Sequence, residues 1–243
     1  MSENYGIGYN NSQSIQLLNG IINSYNGLGN FIATEWDGVV SALQKNWVGE
    51  DEQDFEKKLA KRISLLYSNA RILAQNAVST IGELNHEWNV FTSKNTYDGS
   101  ILAMNNEIDI PTISDPGEIV TAKELSFGND VTRGLTSKSS ASQIKYAIDT
   151  YVNSIKTKST DLLSSVEGSF TGEQKASIQS YVERVNENIT KLVIAIKKMY
   201  DALDTLAKSN YELSDENISE EFKSATADVD DQLESKLGTS RWE

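Results

Sequence analysis

Few side chains in this sequence are suited to chemistry, and their types and spacing narrow the options at once. There is one histidine, His86, and no cysteine. A histidine metal site or proton relay needs companions at helical spacing, and Asn85-His86-Glu87-Trp88 supplies none, so His86 is expected to be a surface or helix-end residue. Lack of thiols removes a thiolate zinc site, a cysteine nucleophile and a disulfide scaffold. Asp228-Val229-Asp230-Asp231 lacks the central Gly and terminal Glu of a calcium loop and reads as a solvated acidic patch. Neither a Gly-rich phosphate loop nor a nucleophile elbow occurs. Carboxylates are abundant, which leaves a hydrolytic pair open, but long amphipathic helices offer seams rather than pockets. The expectation is therefore no catalytic, cofactor-binding or metal-binding residue. Two spaced patterns remain. One is an aromatic-x-Gly corner, at Trp47-Val48-Gly49 and again at Phe170-Thr171-Gly172. The other is Tyr-x-x-x-Asp, at Tyr211 with Asp215 and at Tyr200 with Asp204.

The elements that must carry these patterns are helices. From Ile15 through Leu18, Ile21, Tyr25, Leu28, Ile32 and Val39 to Leu43, apolar residues recur in steps that form one stripe of a helix. Gly20, Gly27, Gly29 and Gly38 lie inside it, and each costs about 1 kcal/mol of helix propensity relative to Ala. They imply either a locally frayed or kinked helix or a close approach by a neighbour. A second helix starts at Glu50-Asp51-Glu52, acids suited to a helix N-terminus, and runs through Phe55, Leu59, Ile63, Leu66, Leu73 and Ala77 to about Phe91.

Residues 96–137 are different. Both prolines, Pro111 and Pro116, fall there with four glycines, and the segment lacks helical period, so it reads as a connector with brief extended pieces. Helical period returns at Ile144, Ile148, Tyr151, Ile155, Leu162 and Val166. It breaks near Gly168–Gly172 and resumes from Glu173 through Ile178, Val182, Val185, Ile189, Ile196, Leu203 and Leu206. Residues 214–243 form an acidic, weakly amphipathic tail.

Superposing Phe170-Thr-Gly172-Glu173 on Trp47-Val-Gly49-Glu50 uses an offset of 123 residues, and that single offset pairs apolar with apolar on both flanks. Ile21 meets Ile144, Leu28 meets Tyr151 and Val39 meets Leu162; beyond the corner, Phe55 meets Ile178 and Leu59 meets Val182. The pairing fails at Trp36 with Ser159, Arg62 with Val185 and Ile63 with Asn186. Two helices in phase across the same corner point to an internal duplication. Each half is then a helical hairpin, and a lone hairpin has a face that only another hairpin can cover.

Charge limits the partners. Asp and Glu number 35 against 22 Lys and Arg, a formal net charge of −13. Nucleic acid is not expected, since its binding rests on clustered basic residues. No stretch of 18 apolar residues and no basic-then-apolar N-terminus is present, so neither a transmembrane helix nor a general secretory signal is expected.

A hairpin of about a hundred residues centred on Trp-x-Gly, with a large apolar residue eight positions after the Trp, resembles the WXG family of ESAT-like proteins. Trp47, Gly49 and Phe55 carry the resemblance over residues 10–95. Phe170, Gly172 and Ile178 carry a degenerate version over residues 138–213. The resemblance implies a small, acidic, non-enzymatic helical protein exported by a type VII secretion system without a cleaved signal peptide, cytoplasmic before export and secreted or surface-located after it. It implies contacts with the secretion machinery or another WXG-like protein. It also implies an export signal at Tyr-x-x-x-Asp after the last helix, for which Tyr211 and Asp215 are the candidates. Two alternatives stand beside it: an adaptor or chaperone bundle of the secretion machinery or of a toxin, and a helical pore-forming protein. The family's usual dimer would here be internal, giving an all-α monomer in which two helix-turn-helix hairpins form an elongated antiparallel four-helix bundle. Helices of about 32 residues span roughly 48 Å. The antiparallel arrangement requires the connector to travel that length, and the 42 residues of 96–137 can do so with ease.

Overall fold

A computed structural model describes residues 11–94, 108–126, 134–137, 139–169 and 173–209. Four helices dominate. They are α1 (Asn11–Asn46), α2 (Glu50–Lys94), α3 (Ser140–Gly168) and α4 (Glu173–Ser209), with two-residue strands β1 (Trp47–Val48) and β2 (Gly134–Leu135). The apolar stripes read from the sequence are the core: Ile21, Leu28, Ile32, Leu43, Phe55, Leu59, Ile63, Ile144, Ile155, Val166, Ile189 and Ile196 are all buried. Ile15 departs from its stripe and is 45% exposed.

Contacts between helices fix their directions. Ser24 and Ser165 share a hydroxyl hydrogen bond of 3.0 Å, and the Tyr151 hydroxyl donates to the Ile32 carbonyl at 2.8 Å. At the far end Thr136 N donates to the Asn46 carbonyl just before α3 begins. Hence α1 and α3 are antiparallel partners, and Ile15 is exposed because α3 ends opposite a point further along α1. The Asn76 amide donates to the Tyr181 hydroxyl between α2 and α4. Between α3 and α4, Lys145 pairs with Asp201 at 2.8 Å and Tyr200 donates to Asp149 at 2.6 Å. By these pairings the α1–α2 corner lies beside the start of α3, and the end of α3 lies beside the opposite end of α1.

The glycines of α1 do not break it, because the helix is continuous over 36 residues. A side chain at Gly20, Gly27 or Gly38 would meet open space, whereas one at Gly29 would collide with the Tyr67 hydroxyl. Close approach therefore accounts for Gly29 alone of the four. It lets Tyr67 stack on Tyr25, with ring centroids 4.8 Å apart, and locks α1 to α2.

The connector is not a free loop. Residues 108–126 form an extended strap laid along α2, antiparallel to it. Helix side chains grip the strap's main chain at successive points. Asn85 accepts from Ile108 N at 2.9 Å, Gln75 accepts from Ile113 N at 2.8 Å, and Glu56 accepts from Lys123 N at 2.7 Å. Trp36 Nε1 donates to the Thr121 carbonyl at 2.9 Å and Gln53 to the Lys123 carbonyl at 3.1 Å. Ile113 and Val120 are the strap's buried side chains, and Ile110 rests over Gly82, where a Cβ would not fit. Two surface ion pairs flank them, Arg71 with Asp115 and Asp37 with Lys123, each at 3.2 Å.

Candidate functional site

The Trp47 corner is built by the ends of α1 and α2. Gly49 has φ 131°, a conformation that side chains resist, and this lets the chain reverse within three residues. Trp47 is 2% exposed and packs on Phe55, with ring centroids 5.5 Å apart, so the aromatic of the corner meets the large apolar residue eight positions after it. β1 then pairs antiparallel with β2, Trp47 opposite Leu135 and Val48 opposite Gly134. Gly134 has φ 116°, and Leu135 is buried. The chain that leaves α2 thus comes back, after the strap, to close the corner from which α2 began.

Two buried carboxyl groups sit at this end. Glu56 is fully buried yet provided for, since it accepts from Lys123 N and, at 3.4 Å, from the Gln44 amide. Glu52 lies one turn earlier and is also fully buried, with neither carboxyl oxygen hydrogen-bonded. Burial and the neighbouring Glu56 charge push its pKa up to about 8. Two carboxyl groups one turn apart thus have differing environments, and both are fully buried.

One open cleft is associated with the strap. It has a volume of about 370 Å³ and lies between Ile22, Tyr25 and Asn26 of α1, Tyr67 of α2, and strap residues 111–114 and 116. Tyr25 lines it, but its hydroxyl is buried away from the open space beside the Tyr67 ring. Burial is the main reason that both the Tyr25 and Tyr67 phenols titrate above their ordinary range. Sequence reasoning did not find this cleft, because neither tyrosine lies in a recognisable motif and the strap has no period.

Of the residues singled out from sequence, Trp47 and Gly49 lie at the corner between α1 and α2. Phe170, Gly172, Tyr211, Asp215 and the acidic patch at 228–231 lie outside the described residues. Tyr200, the other tyrosine of a Tyr-x-x-x-Asp spacing, is a core residue whose hydroxyl is committed to Asp149. That bond, with help from Lys197 at 3.3 Å, holds the Asp149 carboxyl below the usual range. His86 is exposed on α2. Among the described residues no group of three His, Asp or Glu could hold a metal ion, and no helix is long and apolar enough to cross a membrane. Comparison with family models, curated proteins and solved structures finds no match for this chain.

Proposed function

We propose that this chain is a non-enzymatic, ESAT-like protein that is exported by a type VII secretion system and acts through protein–protein contacts. In this reading its two hairpins make one elongated antiparallel four-helix bundle, an internal pseudo-dimer that is monomeric in solution. The observation that carries the proposal is the corner itself: Trp47 packs on Phe55 across a turn made at Gly49, where two long helices meet. The helix pairings support the bundle, since α1 packs on α2 and α3 while α4 packs on α2 and α3. Tyr211 and Asp215 would be read by the secretion machinery or by another WXG-like partner, one helical turn apart on one side of the chain if that stretch is helical. Tyr200 suits such a role poorly, because its hydroxyl is already bound.

The test is export. The protein is expected in the culture medium of cells with an active type VII ATPase and absent from the medium without it. Tyr211→Ala and Asp215→Ala should each abolish export while helicity and melting temperature stay unchanged. Tyr200→Phe, which keeps the core ring, is the control and should export normally. Wild-type levels in the medium without the ATPase would overturn the proposal.

A further inference from the structure

We propose that Glu52 and Glu56 form a proton-dependent latch on the strap: with Glu52 protonated, the strap's far end at residues 120–126 is held against α2, and loss of that proton releases this end while the rest of the strap stays in place. Glu56 is the half of the latch that touches the strap. It accepts from Lys123 N at 2.7 Å, while Gln53 of the same helix donates to the Lys123 carbonyl at 3.1 Å, so the main chain of residue 123 is gripped on both sides. Glu52 sits one turn earlier, fully buried, and neither of its carboxyl oxygens has a hydrogen-bond partner. As an anion it would need donors that the closed corner does not supply, and it would face the charge of Glu56. Burial and that neighbouring charge accordingly keep the proton on Glu52 up to about pH 8.

The strap's end is the cover that can give way. The helices are tied along their length by the apolar core, whereas residues 120–126 lie over Glu56 as an extended layer with Thr121, Lys123 and Glu124 exposed and Val120 its one buried side chain. Segments with so few buried apolar contacts open at low cost. Lifting residue 123 from Glu56 admits water, which can solvate both carboxylates and separate their charges.

The charges on the neighbouring elements do not replace that water. On α2, Glu56 supplies the charge that acts on Glu52. From α1 comes Gln44, uncharged, with Lys45 exposed beyond it. From the strap comes Lys123, whose ammonium is paired with Asp37 at 3.2 Å, followed by the exposed Glu124. β1 and β2 bring no titratable group, and Asp201 of α4 is paired with Lys145 of α3. At the offset of 123 residues, the places of Glu52 and Glu56 are taken by Lys175 and Gln179, so the carboxyl pair belongs to the first hairpin alone.

Amide hydrogen exchange on the full chain between pH 5.5 and pH 7.5 tests the latch, each rate being divided by that of an unstructured peptide at the same pH. The closed form keeps a proton that the open form gives up, so the open fraction should rise about tenfold per pH unit across this range. Protection at the Lys123 amide is therefore expected to fall roughly a hundredfold. Protection at the Ile113 amide, bonded to Gln75 further along the strap, should stay constant. Glu52→Gln should make the Lys123 value constant as well. Should that variant fail to fold, the carbon-13 shift of the wild-type Glu52 carboxyl decides in its place, with a midpoint expected near 8. A midpoint at the ordinary 4.5 would overturn the proposal, as would pH-independent protection at Lys123 or a Glu52→Gln protein that keeps the wild-type slope. An equal fall at Ile113 would overturn it too, since Glu52 would then act on the whole fold and not on the strap's end.

Discussion

Glu52 is the residue whose charge and surroundings conflict most. Its carboxyl is raised from the ordinary range to about 8, so the folded state holds a proton that the unfolded chain gives up near 4.5. Stability from this group is therefore complete below about pH 4.5 and is lost as pH rises toward 8. Melting curves at pH 5.5 and pH 8 should show Glu52→Gln removing this part of the fall in wild-type stability, with its largest gain in melting temperature at pH 8. The sequence could not reveal this. An acid in the first turn of a helix reads as a favourable partner of the helix dipole, and Glu52 is buried only in the folded corner. Trp47 was more legible, because an aromatic-x-Gly corner between two apolar stripes needs a ring to close the seam. Truncation of so buried an aromatic commonly costs about 3–5 kcal/mol, and Trp47→Ala should lose that much in denaturant unfolding.

Element by element, the helices were readable because their periodicity is driven by burial, and Ile15 failed only where its neighbour helix runs out. The glycines of α1 were ambiguous in sequence and separate in structure. Gly20→Ala, Gly27→Ala and Gly38→Ala should each raise stability by up to about 1 kcal/mol, since the helix gains propensity and the new methyl meets nothing. Gly29→Ala should instead lower the melting temperature, because the methyl displaces Tyr67 from its stack on Tyr25. The strap was not legible as an element. It has no repeat of its own, and what shapes it is a row of polar side chains on α2 that look, in sequence, like any solvated helix face. Trp36 was the one visible clue: it broke the match between the two halves, and its indole proves to hold the Thr121 carbonyl.

For the molecule as a whole, the antiparallel pairing of α1 with α3 can be checked covalently because the chain has no native cysteine. Ser24→Cys with Ser165→Cys replaces hydroxyls 3.0 Å apart and should oxidise readily within one chain. Val48→Cys with Ser169→Cys, at opposite ends, should not; non-reducing gels with intact mass measurement distinguish the two. The apolar stripes of the two halves made the helices of this arrangement legible, while the route between the halves depended on contacts no pattern encodes. That route has a consequence for which lengths of chain the fold can accept. From Ile108 to Lys123 the strap advances fifteen residues, about 50 Å when fully extended, beside the stretch of α2 from Asn85 to Glu56, about 44 Å of helix axis. Little slack is left, and Gly117, at φ 65°, marks the place where the strap bends. Single-residue deletions should thus be absorbed near Gly117 but not between Ile108 and Ile113, where five residues must cover ten of helix. Over evolutionary time the strap would behave as a ruler cut to the helix beside it, its exposed positions drifting in sequence while its length and its buried Ile113 and Val120 stay constrained.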